Sequence, residues 1–436
     1  VTGAAVDRAG TPPTVAGTGR GTPLRRLLVF FATVYAVQGL AEPEAGLATQ
    51  PIFFLLKDEM GLGASETATF LALVGLAWSV KPLYGLVSDL VPLLGYRRRS
   101  YLLVTTAMAA LGWLVLGLRA AYPWGLTLGI LGLTGMGLAF TDVLCDAVMV
   151  EEGEARGLTA RFQSVQWAAN YGASLLAGVV GGYLSAHVSY SRTFLLVALF
   201  PMLSFGASAW AVQETRARFD RATARETLVA VRESARSGPL RRAAAFIFLW
   251  NFSPSFGVPL EYHMVDVLGI TKIQLGVLAS LESGAAMLGA LTFGRYARRL
   301  APGSLLTAAI AIGVAGTLAY CGLVGWWSAV ALTVSVSFVS AIAMLATLDL
   351  AVRVVPLHAE GTFFAALMSV SNLGTTGGEW LGGQLYDLIG LPWLIAVSAA
   401  ATAACWPLVP WMRIPAPGSG PSSRASASTT SPITPL

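Results

Sequence analysis

Apolar runs of about 20 residues or more recur along most of the chain, separated by short polar connections. A helix of that length crosses the hydrocarbon core of a bilayer. It is also the form in which a single segment satisfies its own amides and carbonyls there. The runs predict twelve helices, over residues 25–56, 66–88, 100–118, 124–150, 161–186, 193–212, 242–265, 273–297, 303–323, 327–352, 361–386 and 390–411. One stretch breaks the alternation: residues 213–241 are charged and helix-prone, with six predicted helices on either side. The chain thus divides into an N-terminal tail (1–24), a six-helix bundle (25–212), a linker (213–241), a second six-helix bundle (242–411) and a C-terminal tail (412–436). Both tails read as disordered by composition, the second being rich in Pro, Ser and Thr.

Composition supports the membrane reading. Of 436 residues, 55% are hydrophobic and 12% charged, about half the charge of a soluble domain. The net charge of +5 matters through its placement. Of 28 Lys and Arg, 23 fall in the tails, the linker and the connections on the same side. Only Lys57, Arg119, Arg192 and Lys272 fall on the other side, and Lys81 lies within a helix. The positive-inside rule then places both termini in the cytoplasm, and the basic balance needs no nucleic-acid partner. The first 20 residues lack the apolar core of a secretory signal. Cys145, Cys321 and Cys405 are scattered through predicted helices, with neither metal-ligand spacing nor a disulfide framework, and read as buried inert thiols.

The halves echo one another. A shift of 201 residues lays Gly181-Gly182-Tyr183-Leu184 on Gly382-Gly383-Gln384-Leu385 and Phe162 on Phe363. Residues 81–101 read KPLYGLVSDLVPLLGYRRRSY, between the second and third helices. This Gly-x-x-x-Asp followed by an Arg cluster resembles the loop of the major facilitator transporters. With its inserted Val-Pro-Leu-Leu it is similar to the folate–biopterin transporter family in particular. The resemblance extends over about residues 30–410, through Phe54-Leu55-Leu56-Lys57-Asp58, Trp78-Ser79-Val80-Lys81-Pro82-Leu83-Tyr84-Gly85, Asp142 to Asp146 with Glu151, Phe248-Leu249-Trp250, Glu360-Gly361-Thr362 and Ser371-Asn372-Leu373-Gly374. Ala77 departs from it, since the family usually has Pro before the Trp. The resemblance implies an all-α membrane protein with the major facilitator fold of two six-helix bundles. It also implies uptake of folates or pterins, generally with protons, by rocking of the bundles about a central site.

Ionisable groups inside membrane helices are costly and mark function by default. In this fold helices 1, 4, 7 and 10 line the cavity, and most such groups fall there. Gln38 and Glu42 share a face of helix 1 beside Pro43, which should kink it. Glu42 is the first choice for a cavity carboxylate, the alternative being that Glu42 or Glu44 caps the broken helix. Asp142 and Asp146 lie one turn apart on helix 4 and could bind a proton, or pair with Lys81 or with Arg97 to Arg99. Asp89, Arg97, Arg98, Arg99 and Glu151, with Lys81, are expected to gate the cytoplasmic side by holding the bundles together there. Asp349 and Arg353 are spaced for a pair along helix 10, the alternative being that Arg353 or Lys81 holds a substrate carboxylate. A pterin could present its adjacent donors to a carboxylate, stack on Trp167, Trp250 or Phe252, and bond to Gln163, Gln166, Asn170 or Asn372. Glu261, His263, Glu282 and Glu379 complete the set.

No Lys follows a Gly, so there is no phosphate-binding Gly-Lys-Ser/Thr loop, and the short connections leave no room for a nucleotide domain. An enzyme or ATP-driven pump is excluded on that basis, and no cofactor is expected beyond a proton gradient as driving force. The competing function is a proton antiporter that exports cationic or amphipathic compounds through the acidic cavity. The expected setting is a bacterial inner membrane, with lipid, protons and a small molecule as partners and a monomer as the unit.

Overall fold

The computed structural model describes residues 22–217, 238–296, 302–354 and 360–411. Both tails and most of the linker lie outside them. Asp349 and Arg353 lie on a helix described there only in its backbone, so their expected pairing falls outside the described side chains.

The described chain is helical. Helix α1 (Leu24–Ala41) is followed, after a break, by α2 (Thr49–Phe54) and a π-turn (Leu55–Glu59). Next come α3 (Ala64–Ser79), α4 (Lys81–Leu90), α5 (Arg99–Gly117), α6 (Trp124–Arg156), α7 (Thr159–His187) and α8 (Tyr190–Ala211). The second half holds α9 (Gly238–Asn251), α10 (Gly257–Asp266), α11 (Lys272–Tyr296), α12 (Pro302–Ala319), α13 (Trp326–Val354), α14 (Glu360–Ala403) and the short α15 (Leu408–Trp411). Within α14, Gly390 at φ 71° and ψ 171° breaks the helical path, where the sequence predicts two separate helices. Eight stretches of the described residues are long and apolar enough to cross a bilayer. Helix α7 is not among them, and its Gln163, Gln166 and Asn170 dilute its apolar character. The predicted seventh helix is split into pieces of 14 and 10 residues.

The breaks follow from proline, and each freed backbone group finds another partner. Pro43 ends α1 at Ala41, whose carbonyl accepts the Trp113 indole N–H at 2.9 Å. The chain resumes through Gly46, whose amide donates to the Glu42 carbonyl at 2.8 Å. Pro82, at the start of α4, cannot donate to the carbonyl of Trp78 four residues before it. That carbonyl accepts Asn372 Nδ2 from α14 at 3.0 Å, while Ala77 offers its own to the Tyr84 hydroxyl at 3.0 Å. Between α9 and α10, next to Pro254, the Ser255 amide donates to Gly378 at 2.9 Å.

Each half has its own apolar core. In the first, Phe30, Phe31, Leu102 and Phe162 form one cluster, and Ile52, Phe70, Trp113 and Phe194 another. In the second, Phe246, Ile247, Leu306 and Ile310 pack together. A further cluster joins the halves, with Phe53, Phe54 and Ala64 against Tyr262, Met264, Ile270 and Leu275. The halves also meet where α7 packs along α11. A methyl group on Gly182 would stand 2.9 Å from the Cα of Gly276, so the helices touch backbone to backbone. There Ser280 Oγ donates to the Leu175 carbonyl at 2.6 Å and accepts from the Val179 amide at 2.8 Å. Cys145 and Cys405 are buried as expected, but Cys321 is exposed, because it falls in a 3-10 turn after α12 and not within a helix.

Candidate transport site

The kink between α3 and α4 and the break after α1 bring charge together inside the first half. Lys81 Nζ lies 2.6 Å from Asp142 Oδ2 of α6, with the two side chains 19% and 7% exposed. The same ammonium sits 4.2 Å from the centroid of the Trp78 ring. Glu42 lies within electrostatic range of both Lys81 and Asp142. One turn along α6, Asp146 accepts the Tyr35 hydroxyl at 2.5 Å. Gln166 of α7 is buried between Asp146 and Cys145, its Nε2 3.8 Å from the Cys145 sulfur. Asn170 Nδ2 reaches the Tyr35 carbonyl at 3.4 Å. Trp167 stands edge-on to Tyr35 at 6.3 Å and is half exposed. The Gln38 side-chain oxygen is buried with no hydrogen-bond partner in the structure.

Gln38, Glu42, Lys81, Asp142, Asp146, Gln166, Trp167 and Asn170 therefore share one region. Other residues expected there have different surroundings. Trp250 stacks on Phe246 inside the second half, 6.3 Å between centroids, and packs over Gly313. Asn372 binds the Trp78 carbonyl and so joins the halves. The Arg353 side chain lies outside the described ones. A trail of further carboxylates leads across the interface. Glu44 and Thr376 both stand against Gly75, and Glu44 is within range of Glu379, which in turn is within range of Glu261, close to Glu282.

At the face bearing the Arg-rich loop, Arg98 bonds Asp89 at 2.6 Å, Glu151 at 2.9 Å and Ser88 Oγ at 2.8 Å. Arg97 stands 3.7 Å from Asp89, and Arg99 reaches the Ala209 carbonyl at 3.5 Å. All these partners belong to the first half. Among the described residues the cluster braces one bundle, and does not tie the two bundles together as the sequence suggested. Glu214, just after α8, receives the amides of Arg97, Arg98 and Arg99 at 2.8, 2.9 and 3.0 Å, capping the start of α5. Sequence reasoning missed this residue, although an acid ending one helix near a loop of three Arg was a usable signal.

The charges that do join the halves stand at the opposite face. Lys57 Nζ lies 2.7 and 2.9 Å from the two Asp266 oxygens, and Lys272 Nζ lies 2.8 Å from Asp58. Lys57 also covers the Tyr262 ring at 4.7 Å and Lys272 the Phe54 ring at 4.1 Å. Gln50 donates to the Lys272 carbonyl at 2.5 Å, Tyr262 donates to the Leu62 carbonyl at 2.6 Å, and Ser65 bonds Asp387. Every hydrogen bond between the halves among the described residues lies from the depth of Trp78 toward this face. The halves are joined by ion pairs at this end. The adjacent, opposite charges of Lys57-Asp58 were visible in sequence, but not their partners.

Known proteins resemble this chain throughout. The BT1 family matches residues 38–417. The folate-biopterin transporter of Synechocystis sp. is 29% identical over 402 residues, covering 86% of this chain and 79% of the relative. An Arabidopsis thaliana relative named "Probable folate-biopterin transporter 4" is 24% identical, covering 78% and 85%. Among solved structures, a D-xylose-proton symporter superposes with TM-score 0.69 at 13% identity, over 90% of this chain and 99% of the other, a likeness of fold alone.

Proposed function

Since the chain belongs to the BT1 family, we propose that it carries folates or pterins across the membrane by alternating access, driven by protons. It is a multi-pass membrane protein with the fold of solved transporters, and its curated relatives are named as transporters and not as enzymes. The observation that supports the reading most is the Lys81–Asp142 pair, with Glu42 and Asp146 beside it, in a protein whose halves are joined by ion pairs at the opposite face. A carboxylate such as Glu42 can accept the adjacent donors of a pterin ring, and Trp167 offers a face for stacking. Closing the opposite end through Lys57–Asp266 and Lys272–Asp58, and releasing those pairs in turn, would expose the site to each side alternately. The Arg-rich face is read as cytoplasmic, in a bacterial inner membrane, with a monomer as the working unit.

The test is uptake of labelled folic acid and biopterin into proteoliposomes with and without an inward proton gradient. The reading requires gradient-dependent accumulation, lost in Glu42→Gln and, for folic acid, in Asp142→Asn. Export of cations is the second reading, favoured by the excess of carboxylates over Lys81 among the described side chains at the site. It replaces the first if neither compound is taken up by folded protein while an organic cation is expelled against a proton gradient.

A further inference from the structure

Among the described residues, the Lys81–Asp142 pair is the place at the site where a cation and an anion already neutralise each other. We propose that Lys81 is the seat of a substrate carboxylate, and that Asp142 is a resident anion which that carboxylate displaces, taking up one proton as it leaves Lys81. This rests on the folate–pterin reading and goes beyond it by dividing the substrates: glutamate-tailed folates engage the pair, and tail-less pterins leave it intact.

Four observations lead there. Lys81 is a compact charge on a flexible stem, held by a single carboxylate oxygen and an aromatic face, so it can change partners without moving the backbone. Its first contact is already a carboxylate at 2.6 Å, the same chemical group a glutamate tail presents. Among the described residues, the groups around Asp142 include no second cation. They are the Tyr35 hydroxyl from α1, Glu42 from the break after α1, Lys81 from α4, and Asp146 and Cys145 on its own helix. The pair also stands beside the contact between halves, since the carbonyl of Trp78 is held by Asn372.

The consequence is electrostatic. If an incoming carboxylate takes Lys81, Asp142 becomes an unpaired charge in a poorly hydrated site, with Glu42 and Asp146 near it. An unpaired buried charge costs several kcal/mol, whereas a protonated carboxyl does not carry that cost. One anion and one proton therefore enter together, and the net charge of the site is unchanged. A pterin without a tail brings no anion and makes no such demand on Asp142.

The experiment is equilibrium binding of labelled folic acid and labelled biopterin to the purified full-length protein, from about pH 5 to pH 8. Lys81→Gln, Lys81→Arg, Asp142→Asn and the double variant Lys81→Gln/Asp142→Asn are compared, with folding checked by thermal stability in detergent. Lys81→Gln is expected to weaken folic acid by about 30-fold or more and biopterin by less than about 2-fold. Lys81→Arg should recover much of the folic acid binding. In Asp142→Asn folic acid should still bind, but its affinity should no longer rise as pH falls. If Lys81→Gln misfolds because it strands Asp142, the double variant removes both charges, and it should bind biopterin and not folic acid. Equal loss of both ligands on removing Lys81, or pH-dependent folic acid binding that survives Asp142→Asn, would overturn the proposal while leaving folate–pterin transport in place. Wild-type protein that binds neither compound at any pH would instead remove the reading on which it rests.

Discussion

The two faces of this protein use the same chemistry for different ends. At the Arg-rich face, Arg98 is nearly buried and holds Asp89, Glu151 and Ser88, all within one bundle. At the opposite face, Lys57–Asp266 and Lys272–Asp58 are partly exposed and each joins one bundle to the other. A buried cluster inside a bundle need not break while the bundles rock, so it can be strong. In the alternating-access cycle proposed above, pairs across the interface would be broken at every turn, so they should be weak singly and act together. Exposed ion pairs are worth about 0–1 kcal/mol each, which suits a contact that opens repeatedly.

Removing Arg98 should have the largest effect. Arg98→Met leaves two carboxylates facing a vacated charge site and is expected to cost about 3–5 kcal/mol, read as a large fall in Tm of the detergent-solubilised protein. If instead stability held and the spacing of the halves changed, the Arg-rich cluster would be an intersubdomain lock after all. Next comes the opposite face. Asp58→Asn with Asp266→Asn should release about 1–2 kcal/mol of closure with little change in Tm. Spin labels at the exposed Glu59 and Val267 should then move apart, and high salt should shift the wild-type protein the same way. Exchanging Lys57 and Asp266 for one another should restore the closed spacing. The smallest effect is expected from Glu214→Gln, about 1 kcal/mol, because the amides of Arg97 to Arg99 keep an uncharged acceptor. A loss of transport in that variant without loss of stability would mean that the α5 cap moves during the cycle.

Much of the fold was legible in sequence because hydropathy and proline act locally. The break at Pro43 and the connection between Leu90 and Arg99 lie where the sequence placed them. The site was legible in part. Asp142, Asp146 and Lys81 were candidates for one another, and Lys81 does pair with Asp142. That Asp146 is held by Tyr35 was not foreseen, since a Tyr 111 positions away carries no signal of its own in an apolar helix. Trp250 looked suitable for a ligand by residue type, but packing against Phe246 occupies its face.

What the sequence alone determined is the class of molecule: a polytopic helical membrane protein in two halves, with its kinks and its resemblance to one transporter family. A segment's hydropathy and a proline's missing amide do not depend on what the segment packs against. What only the tertiary structure decided is which charge meets which. Lys81 finds Asp142 at a separation of 61 positions, and Lys272 finds Asp58 at 214. Several carboxylates were chemically equivalent partners for each Lys. The choice among them is made by helix packing, which sets distances to within an ångström and which no local pattern encodes.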